Sequence, residues 1–424
     1  MADAQEVFDV IVVGAGGTHG SSTLYHLAKR GVKVLGLESQ PSAPHANGSH
    51  GGETRVTRLS YFEHPAYVPL LKRSFELWRE LEAETGRTIY LNCGCANIAA
   101  ANADAEGSVF RGALQSALEH GLEHEVLVGP AITARFPAIT VPPGAKALFE
   151  KAGGVIYPAE AIAGALERAR ALGARVEFSA RVAAWGPEVG GAAPCARCAP
   201  GERCSLYRVS LADGRSFVAK KLVLIPGAWV GDLVPELAPA LEVQRQVIAW
   251  FAVRPEHRAL FESDRLPSYL LDGELGDAFY CFPIDKYGFK IGKMYHLKER
   301  VSDPSTYSKA ITPADEAVLR EGIKAYAPLA DNEMTKAVTC LFTMTPDHDF
   351  VVDFHPRHGK DVVVVSACSG HGFKFASVMG ELLADLATKG ETPFDIDLFA
   401  ISDRRKGFGK VVQALNGPAQ KTKL

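Results

Sequence analysis

The chain has 424 residues, of which 47% are hydrophobic and 22% are charged, and its formal net charge is −3 at pH 7. Such a composition is typical of a globular protein with two packed domains, and it shows no basic excess that would indicate a nucleic-acid partner. No apolar run reaches the roughly 20 residues that a helix needs to cross a bilayer, so we expect no membrane association. Residues 1–10 lack the apolar stretch of a secretory signal, which predicts an intracellular protein.

The first predicted unit is a strand, a glycine-rich turn, a helix and a second strand. A buried-strand pattern at residues 8–13 precedes GAGGTHG, and the second strand, residues 32–37, ends in Glu38. Glycines so placed let backbone amides approach a pyrophosphate at a helix N-terminus, and the acid accepts from ribose hydroxyls. The third glycine comes one residue later than in the usual spacing, and His19 takes its slot. The predicted dinucleotide contacts are Gly14, Gly16, Gly20 and Glu38.

The chain then alternates between two kinds of segment. A helix pattern at residues 67–85 is followed by an excursion and a return, and aromatic alternating strands such as QVIAWFAV and AFYCFPI predict an antiparallel sheet. The fold class is therefore α/β plus α+β, a discontinuous Rossmann-like domain with an inserted antiparallel-sheet substrate domain. We assign residues 1–92, 151–235 and 338–424 to the nucleotide domain, and residues 93–150 and 236–337 to the substrate domain.

The dispersal of the glycine-rich strand–turn units bears on the cofactor. Such units recur at residues 222–229 and 362–373, far from the first one. An NAD enzyme usually builds a self-contained nucleotide half followed by a catalytic domain. A nucleotide domain assembled from separated segments favours a large flavin over a diffusible nicotinamide.

Lys374 lies where the last predicted helix, residues 375–387, begins, after a turn that contains Gly370 and Gly372. A cation at this end opposes the helix dipole, which disfavours positive charge at an N-terminus. This placement predicts that Lys374 faces an anionic ligand.

Two other features have plain interpretations. Residues 190–204 contain Cys195, Cys198 and Cys204, but a fourth zinc ligand is missing, so we expect a flexible hairpin insertion and no metal site. An intracellular location predicts reduced cysteines. The C-terminal Thr422-Lys423-Leu424 approaches the S-K-L peroxisomal signal, and either a peroxisomal address or a cytoplasmic protein with a basic tail is compatible with it.

Together these motifs resemble the monomeric sarcosine oxidase family of FAD-dependent amine oxidases, which includes N-methyltryptophan and pipecolate oxidases. The resemblance covers nearly the whole chain and rests on DVIVVGAG, NGSHGGETRVTR, GVIYP, GAW, RQV, the TCLFTMTPDHDF segment and SGHGFKF. It implies the D-amino-acid-oxidase fold, FAD as the cofactor, a small amino acid and O2 as substrates, and a monomer.

The resemblance also implies roles for single residues. Cys340 matches the cysteine that joins the flavin covalently, and Arg58 and Lys374 match two cations that hold the substrate carboxylate. Tyr280 matches a pocket tyrosine. The further residues expected at the cofactor are His50, Thr54, Arg55, Gly370, Gly372 and Lys374.

Lys290 resembles a family lysine over the other flavin face, where a positive charge stabilises developing superoxide. The family has a histidine four residues later, whereas this chain has Met294 there and His296 two residues further on. Either Lys290 or Lys293 therefore remains a candidate for the oxygen-side residue, and His296 is a candidate for substrate contact.

Three departures from the family concern the pocket. Phe342 stands where sarcosine oxidases have tyrosine, Leu270 where they have methionine, and Gly51 replaces a histidine near the flavin. A more apolar pocket favours a bulkier or cyclic amine.

The sequence therefore predicts an FAD-dependent oxidase of a small secondary or N-methyl amino acid, which converts the C–N bond to an imine and reduces O2 to hydrogen peroxide. The alternatives are an oxidase of L-pipecolate or another bulkier amino acid, and a flavin amine dehydrogenase with a different electron acceptor. An NAD-dependent dehydrogenase would leave Cys340 without a role, and a non-catalytic flavin-binding protein would not need both Arg58 and Lys374.

Overall fold

The computed structural model describes residues 6–194, 203–274 and 277–402. The contacts of the chain divide it into two compact units. Unit 1 consists of Met1–His50, Ala159–Val243 and Phe342–Leu424, and unit 2 consists of Gly51–Pro158 and Gln244–Leu341.

The strands and helices of the described residues follow in chain order. The strands are β1 (Val7–Val13), β2 (Val34–Leu37), β3 (Arg55–Thr57), β4 (Tyr90–Leu91), β5 (Cys95–Ala99), β6 (Glu125–Val128), β7 (Lys146–Glu150), β8 (Gly154–Ile156), β9 (Arg175–Glu177), β10 (Val182–Pro194), β11 (Arg203–Leu211), β12 (Ser216–Leu224), β13 (Glu242–Phe251), β14 (Ser268–Asp272), β15 (Ala278–Asp285), β16 (Gly288–Lys293), β17 (Met334–Met344), β18 (Val351–His355) and β19 (Gly359–Ser366). The helices are α1 (Thr18–Lys29), α2 (Val68–Thr85), α3 (Val109–Glu119), α4 (Pro130–Arg135), α5 (Pro158–Ala171), α6 (Val230–Leu233), α7 (Pro313–Tyr326) and α8 (Ala376–Lys389).

Unit 1 contains the dinucleotide-type sheet, in the order β10-β11-β12-β1-β2-β9, with β19 also paired to β12 and to β18. β1 runs parallel to both β12 and β2, and β12 runs parallel to β19. Their central positions are apolar on both faces, as parallel strands covered on both sides require, and Ile11, Leu222 and Val362 are fully buried. The carboxyl ends of β1 and β19 therefore point to the same edge of this sheet.

Unit 2 contains a larger sheet, in the order β17-β13-β16-β15-β14-β5-β7-β6, and a small sheet, β3-β8-β4. β13, β16, β15 and β14 pair antiparallel in succession, which confirms the antiparallel sheet predicted from the alternating aromatic segments. The core of this unit packs one face of the large sheet against α7, with Phe251, Phe289 and Ile323 fully buried.

The contact division differs from the predicted domain ranges mainly at residues 51–92, and by eight residues or fewer at residues 151–158, 236–243 and 338–341. Residues 51–92 were predicted within the nucleotide domain, but they group with unit 2. The physical reason is strand pairing, since β3 and β4 both pair antiparallel with β8, which lies about a hundred residues further along the chain than β3. A three-residue strand such as β3 has too short a pattern to reveal its partner.

Some sequence predictions fall outside the described residues. Cys195 and Cys198 and the Thr422-Lys423-Leu424 tail do so. The arms of the predicted hairpin, β10 and β11, pair antiparallel. Over the described ranges, no group of three or more His, Cys, Asp or Glu side chains could hold a metal ion, and no helix is long and apolar enough to span a bilayer.

Candidate active site

The turn after β1 is closely packed around its glycines. A Cβ on Gly16 would lie 2.6 Å from the Glu38 side chain, and one on Gly20 would overlap the carbonyl oxygen of Gly14. Gly14 itself has φ +88°, which favours glycine. Gly20 thus supplies the close helix–strand approach, although it stands one position later than the usual spacing.

Glu38 follows β2 directly and is 5% exposed. The backbone N–H of Gly16 donates to its Oε2 at 2.9 Å, and the N–H of Gln40 donates to its Oε1 at 2.9 Å. Burial raises the pKa of this carboxyl, but His45 and the two N–H donors together lower it by more than burial raises it. The net shift of the pKa is therefore downward. A charged acceptor beside a glycine turn at the start of α1 fits the ribose and pyrophosphate of a dinucleotide.

His19 occupies the slot of the expected third glycine and is 8% exposed. Its Nε2 lies 2.8 Å from the carbonyl oxygen of Ala367, just after β19. Burial lowers the pKa of His19 to about 4, against the opposing effect of this hydrogen bond. The ring is therefore neutral near pH 7 and ties α1 to the turn that follows β19.

The turn after β19 carries the other predicted contacts of unit 1. Gly370 has φ +81°, and a Cβ on Gly372 would overlap the carbonyl oxygen of Ala367. Lys374 lies in a 3₁₀ turn (Phe373–Phe375) that precedes α8, and its Nζ donates to the carbonyl oxygen of His371 at 2.7 Å. This ammonium is only 4% exposed. His50, also predicted at the cofactor, is buried with its ring 4.7 Å from that of His45.

Lys290 on β16 is fully buried in unit 2. Its Nζ donates to the carbonyl oxygens of Gly52 at 2.6 Å and Thr54 at 2.8 Å, and to Thr54 Oγ1 at 2.8 Å. These three acceptors use all three ammonium donors, and none of them carries a charge. Burial, and secondly Arg55, hold the pKa of Lys290 well below its usual value.

Lys293, the other candidate for the oxygen side, has a different environment. Its Nζ forms a 2.6 Å ion pair with Asp277, and its side chain is 16% exposed. Lys290 instead lies against two aromatic faces, 4.0 Å from the ring centre of Phe282 and 5.3 Å from that of Trp250. Of the two lysines, Lys290 is the fully buried one, and none of its hydrogen-bond acceptors is a carboxylate.

The residues around Lys290 include three further predicted positions. Arg55 donates to the carbonyl oxygens of Thr54 at 2.8 Å and Gly51 at 2.6 Å, so the arginine braces the same loop. Tyr280 on β15 is half-buried, and burial, together with Cys340, raises its pKa. Cys340 on β17 is completely buried, and it is among the groups that affect the pKa of Lys290. Within unit 2 the structure therefore brings Lys290, Tyr280, Arg55 and Cys340 into one region.

Arg58 follows β3 and is 1% exposed. Its Nη2 donates to both carboxylate oxygens of Glu63, at 2.9 and 2.6 Å. The guanidinium also faces the rings of Tyr61 at 4.5 Å and Phe62 at 4.9 Å. Burial lowers the pKa of Arg58, but Glu63, Tyr61 and Cys95 together raise it above its usual value, so the group stays charged. No described residue accepts a hydrogen bond from its Nε.

His296 is bonded to a buried carboxylate through one ring nitrogen, whereas its Nδ1 has no hydrogen-bond partner among the described residues. Its Nε2 lies 2.9 Å from Asp315 Oδ1, and Arg245 donates to both oxygens of the same carboxylate, at 2.8 and 3.0 Å. Asp315 also closes the N-terminal capping box of α7 with Thr312. Burial lowers the pKa of His296. These contacts hold the Nε2 of His296 in a buried network. The substrate contact predicted for His296 stays a prediction.

Sequence reasoning missed two acidic residues beside Arg58. Glu63 is its ion-pair partner, and Glu150 at the end of β7 accepts from the backbone that follows Arg58. The sequence does contain a sign of Glu150, because it is the only acidic residue in the apolar strand segment that it ends. Burial of an unpaired charge at such a position costs free energy, which indicates a hydrogen-bonding partner. Glu63 stands in a short polar stretch and gave no such signal.

Comparisons with known proteins show the family of the chain. The model of a family described as FAD dependent oxidoreductase (DAO) matches residues 9–386. Monomeric sarcosine oxidase from a Bacillus species is 37% identical over 401 residues, covering 93% of this chain and 96% of that protein. N-methyl-L-tryptophan oxidase from Salmonella arizonae is 31% identical over 401 residues, covering 93% of this chain and 98% of that protein.

A solved structure is similar to the whole fold. The crystal structure of L-proline dehydrogenase from P. horikoshii matches with a TM-score of 0.76 at 19% identity, covering 95% of this chain and 99% of that one. This likeness concerns the fold alone, and it confirms the predicted class, a Rossmann-like part with parallel strands and a part built on an antiparallel sheet.

Proposed function

The chain belongs to the family of FAD dependent oxidoreductases, and on that premise we propose that it oxidises the C–N bond of a small secondary or N-methyl amino acid. The amine becomes an imine, which water hydrolyses, and O2 is reduced to hydrogen peroxide. FAD, when bound, supplies the acceptance of two electrons from the amine and their return to O2.

The residues of unit 1 fit the nucleotide end of FAD. The turn with Gly14 and Gly16 leaves no room for a side chain, and Glu38 holds a charged carboxylate beside it. These groups would hold the pyrophosphate and the ribose hydroxyls of the cofactor. The turn with Gly370 and Gly372 belongs to the same unit and is our second candidate contact.

Substrate binding is proposed to rest on Arg58 and Lys374. Both are cations with less than a tenth of their surface exposed. Arg58, although paired with Glu63, keeps an Nε donor for which no described residue is an acceptor. A carboxylate fixed by these cations would orient the amine carbon for transfer of its electrons. The family resemblance assigns Leu270 and Phe342 to the substrate, and two such apolar side chains, each 7% exposed, would favour an apolar substituent on the amine.

The observation that carries the oxidase proposal is the buried ammonium of Lys290, whose three hydrogen-bond acceptors are all uncharged. Such a positive charge, set in advance in a site of low dielectric constant, stabilises negative charge that develops on O2. Cys340, buried in the same unit, is the proposed covalent attachment point of the flavin.

The test is an anaerobic visible spectrum of the purified protein during titration with sarcosine, N-methyl-L-tryptophan, pipecolate, proline and glycine. We expect one of these amines to bleach the flavin and air to restore the colour at once. Bleaching without prompt recovery would favour a dehydrogenase. A yellow protein that no amine bleaches would contradict the substrate class, and a colourless protein that binds no added FAD would contradict the cofactor.

A further inference from the structure

The segment that follows Arg58, residues 59–63, contains no helix or strand, yet three buried side chains from other elements hold it. Glu150 binds its start, Asn97 of β5 donates to the carbonyl oxygen of Ser60 at 3.4 Å, and Ser116 of α3 donates to that of Tyr61 at 2.5 Å. All three of these side chains are no more than 1% exposed. We call residues 58–63 the arginine segment.

Glu150 makes the strongest of these contacts. Its Oε1 accepts from the N–H of Leu59 at 2.5 Å, and its Oε2 accepts from the N–H of Ser60 at 2.6 Å and from the Ser60 hydroxyl. Two successive N–H groups thus point at one carboxyl group, whose pKa is raised by burial against the opposing effect of these donors. In the ionised form, which the donors favour, each bond is of the charge-assisted, stronger kind. Each of the two N–H groups has its own oxygen of Glu150 as acceptor.

The arginine segment in turn determines where the guanidinium lies. Arg58 contacts Tyr61 and Phe62 through their rings and Glu63 through two hydrogen bonds, so its partners belong to its own segment. A shift of the backbone at residues 59–60 would therefore displace the partners of Arg58 as well. The position of this cation depends on how firmly the segment is held.

We propose that Glu150 is a positioning residue, which sets the affinity of the enzyme for the substrate carboxylate by fixing the arginine segment. The proposal rests on the proposed function of Arg58 as a carboxylate-binding cation. Glu150 itself is not a catalytic residue, since its oxygens bond to the backbone and hydroxyl of the segment and not to the guanidinium.

The test uses Glu150→Gln in the FAD-loaded enzyme. An amide has one acceptor oxygen and turns an NH2 group towards a backbone N–H, so at least one charge-assisted bond is lost. We expect the dissociation constant of sodium propionate, followed by its effect on flavin absorbance, and the KM of the best amine to rise about tenfold or more. Glu125→Gln, at an exposed position of β6, is the matched control and should leave both values unchanged.

A merely structural role would change other properties too. The FAD content and the rate at which O2 reoxidises dithionite-reduced enzyme need no substrate carboxylate, so we expect both to stay within about twofold of wild type under this inference. If Glu150→Gln does not accumulate as a flavoprotein, Ser60→Ala removes one donor to the same carboxylate, and a rise of about threefold in the propionate constant is then expected.

A double-mutant cycle with Arg58→Lys gives the decisive comparison. If Glu150 acts through Arg58, Glu150→Gln should weaken propionate binding by less than about twofold in the Arg58→Lys background. The inference would be overturned if the losses of propionate affinity in Glu150→Gln and Arg58→Lys were fully additive. It would also be overturned if neither Glu150→Gln nor Ser60→Ala changed the dissociation constant of propionate. If Arg58→Lys alone leaves propionate binding and KM unchanged, it is the proposed carboxylate site that fails.

Discussion

Lys290 Nζ donates to both the carbonyl oxygen and the hydroxyl Oγ1 of Thr54, at 2.8 Å in each case. Its third bond goes to Gly52, so one short loop satisfies the whole ammonium group through neutral oxygens. A buried cation held in this way costs free energy to desolvate, and no carboxylate among its hydrogen-bond acceptors compensates for that cost. Such an arrangement is unfavourable for stability, which is the physical argument for assigning the charge to function.

The first prediction concerns reoxidation. Lys290→Met should slow the reaction of reduced enzyme with O2 by about a hundredfold, because a preorganised charge is lost where negative charge develops. Anaerobic reduction by the amine should change much less. Stopped-flow absorbance measures the two half-reactions separately.

Lys293→Met is the matched control, since Lys293 lies on the same strand but is paired with Asp277. It should leave both half-reactions within about threefold of wild type, the scale expected for loss of a partly exposed ion pair. A slow reoxidation in this variant and a normal one in Lys290→Met would reverse the assignment.

The second prediction concerns cofactor binding. A Cβ on residue 16 would lie 2.6 Å from the Glu38 side chain, so Gly16→Ala should push this carboxylate from its place beside the turn. We expect purified Gly16→Ala to contain less than about a tenth of the flavin per chain that wild type contains. Gly144→Ala adds the same methyl group where no atom lies within 4 Å, and it should bind FAD normally. Equal flavin content in the two variants would refute the role of this turn.

Much of the nucleotide unit could be predicted from the sequence because its information is local. The strand at residues 8–13, the glycine turn and Glu38 lie within about thirty residues, and strand and helix periods are visible at that range. The antiparallel strands of unit 2 were equally visible in their alternating aromatic residues. The small sheet was not, because β3 and its partner β8 are short and far apart in the chain.

The site was less predictable than the fold, since its decisive contacts join distant residues. Nothing in the sequence relates Glu150 to the backbone of Leu59, about ninety positions earlier. The sequence left open whether Lys290 or Lys293 is the oxygen-side lysine. The two lie three positions apart on one strand and so face opposite sides of the sheet, but this alternation alone did not choose between them. Nor does the sequence pattern relate His296 to its partner Asp315, which belongs to the N-terminal cap of α7.

The third prediction concerns the proposed covalent link. In wild type, flavin should remain with the protein after acid precipitation, and in Cys340→Ala it should appear in the supernatant. Cys281→Ala is the control, because Cys281 is also a buried free thiol of unit 2, on β15. Flavin that dissociates from acid-precipitated wild type, or that stays with Cys340→Ala, would contradict attachment at Cys340.

The last prediction concerns pH and stability. Burial lowers the pKa of His19 to about 4 in the folded chain, whereas in the unfolded chain the imidazole has its ordinary pKa near 6.5. Below pH 6.5 the unfolded state therefore binds a proton that the folded state does not bind, so stability falls as the pH decreases towards 4 and this loss then levels off. For this residue alone the loss at pH 5 is about 2 kcal/mol, at roughly 1.4 kcal/mol per pH unit.

Urea unfolding of the FAD-loaded protein at pH 7 and pH 5, followed by far-UV circular dichroism, measures this loss. His19→Asn should be less stable than wild type at pH 7, because it lacks the ring that bonds to Ala367 and that fills the space around it. Its free energy of unfolding should nevertheless fall by about 2 kcal/mol less between the two pH values. His257→Gln, at a partly exposed position, should show the wild-type difference. An unchanged pH dependence in His19→Asn would mean that His19 takes up its proton in the folded state, and that its bond to Ala367 does not require a neutral ring.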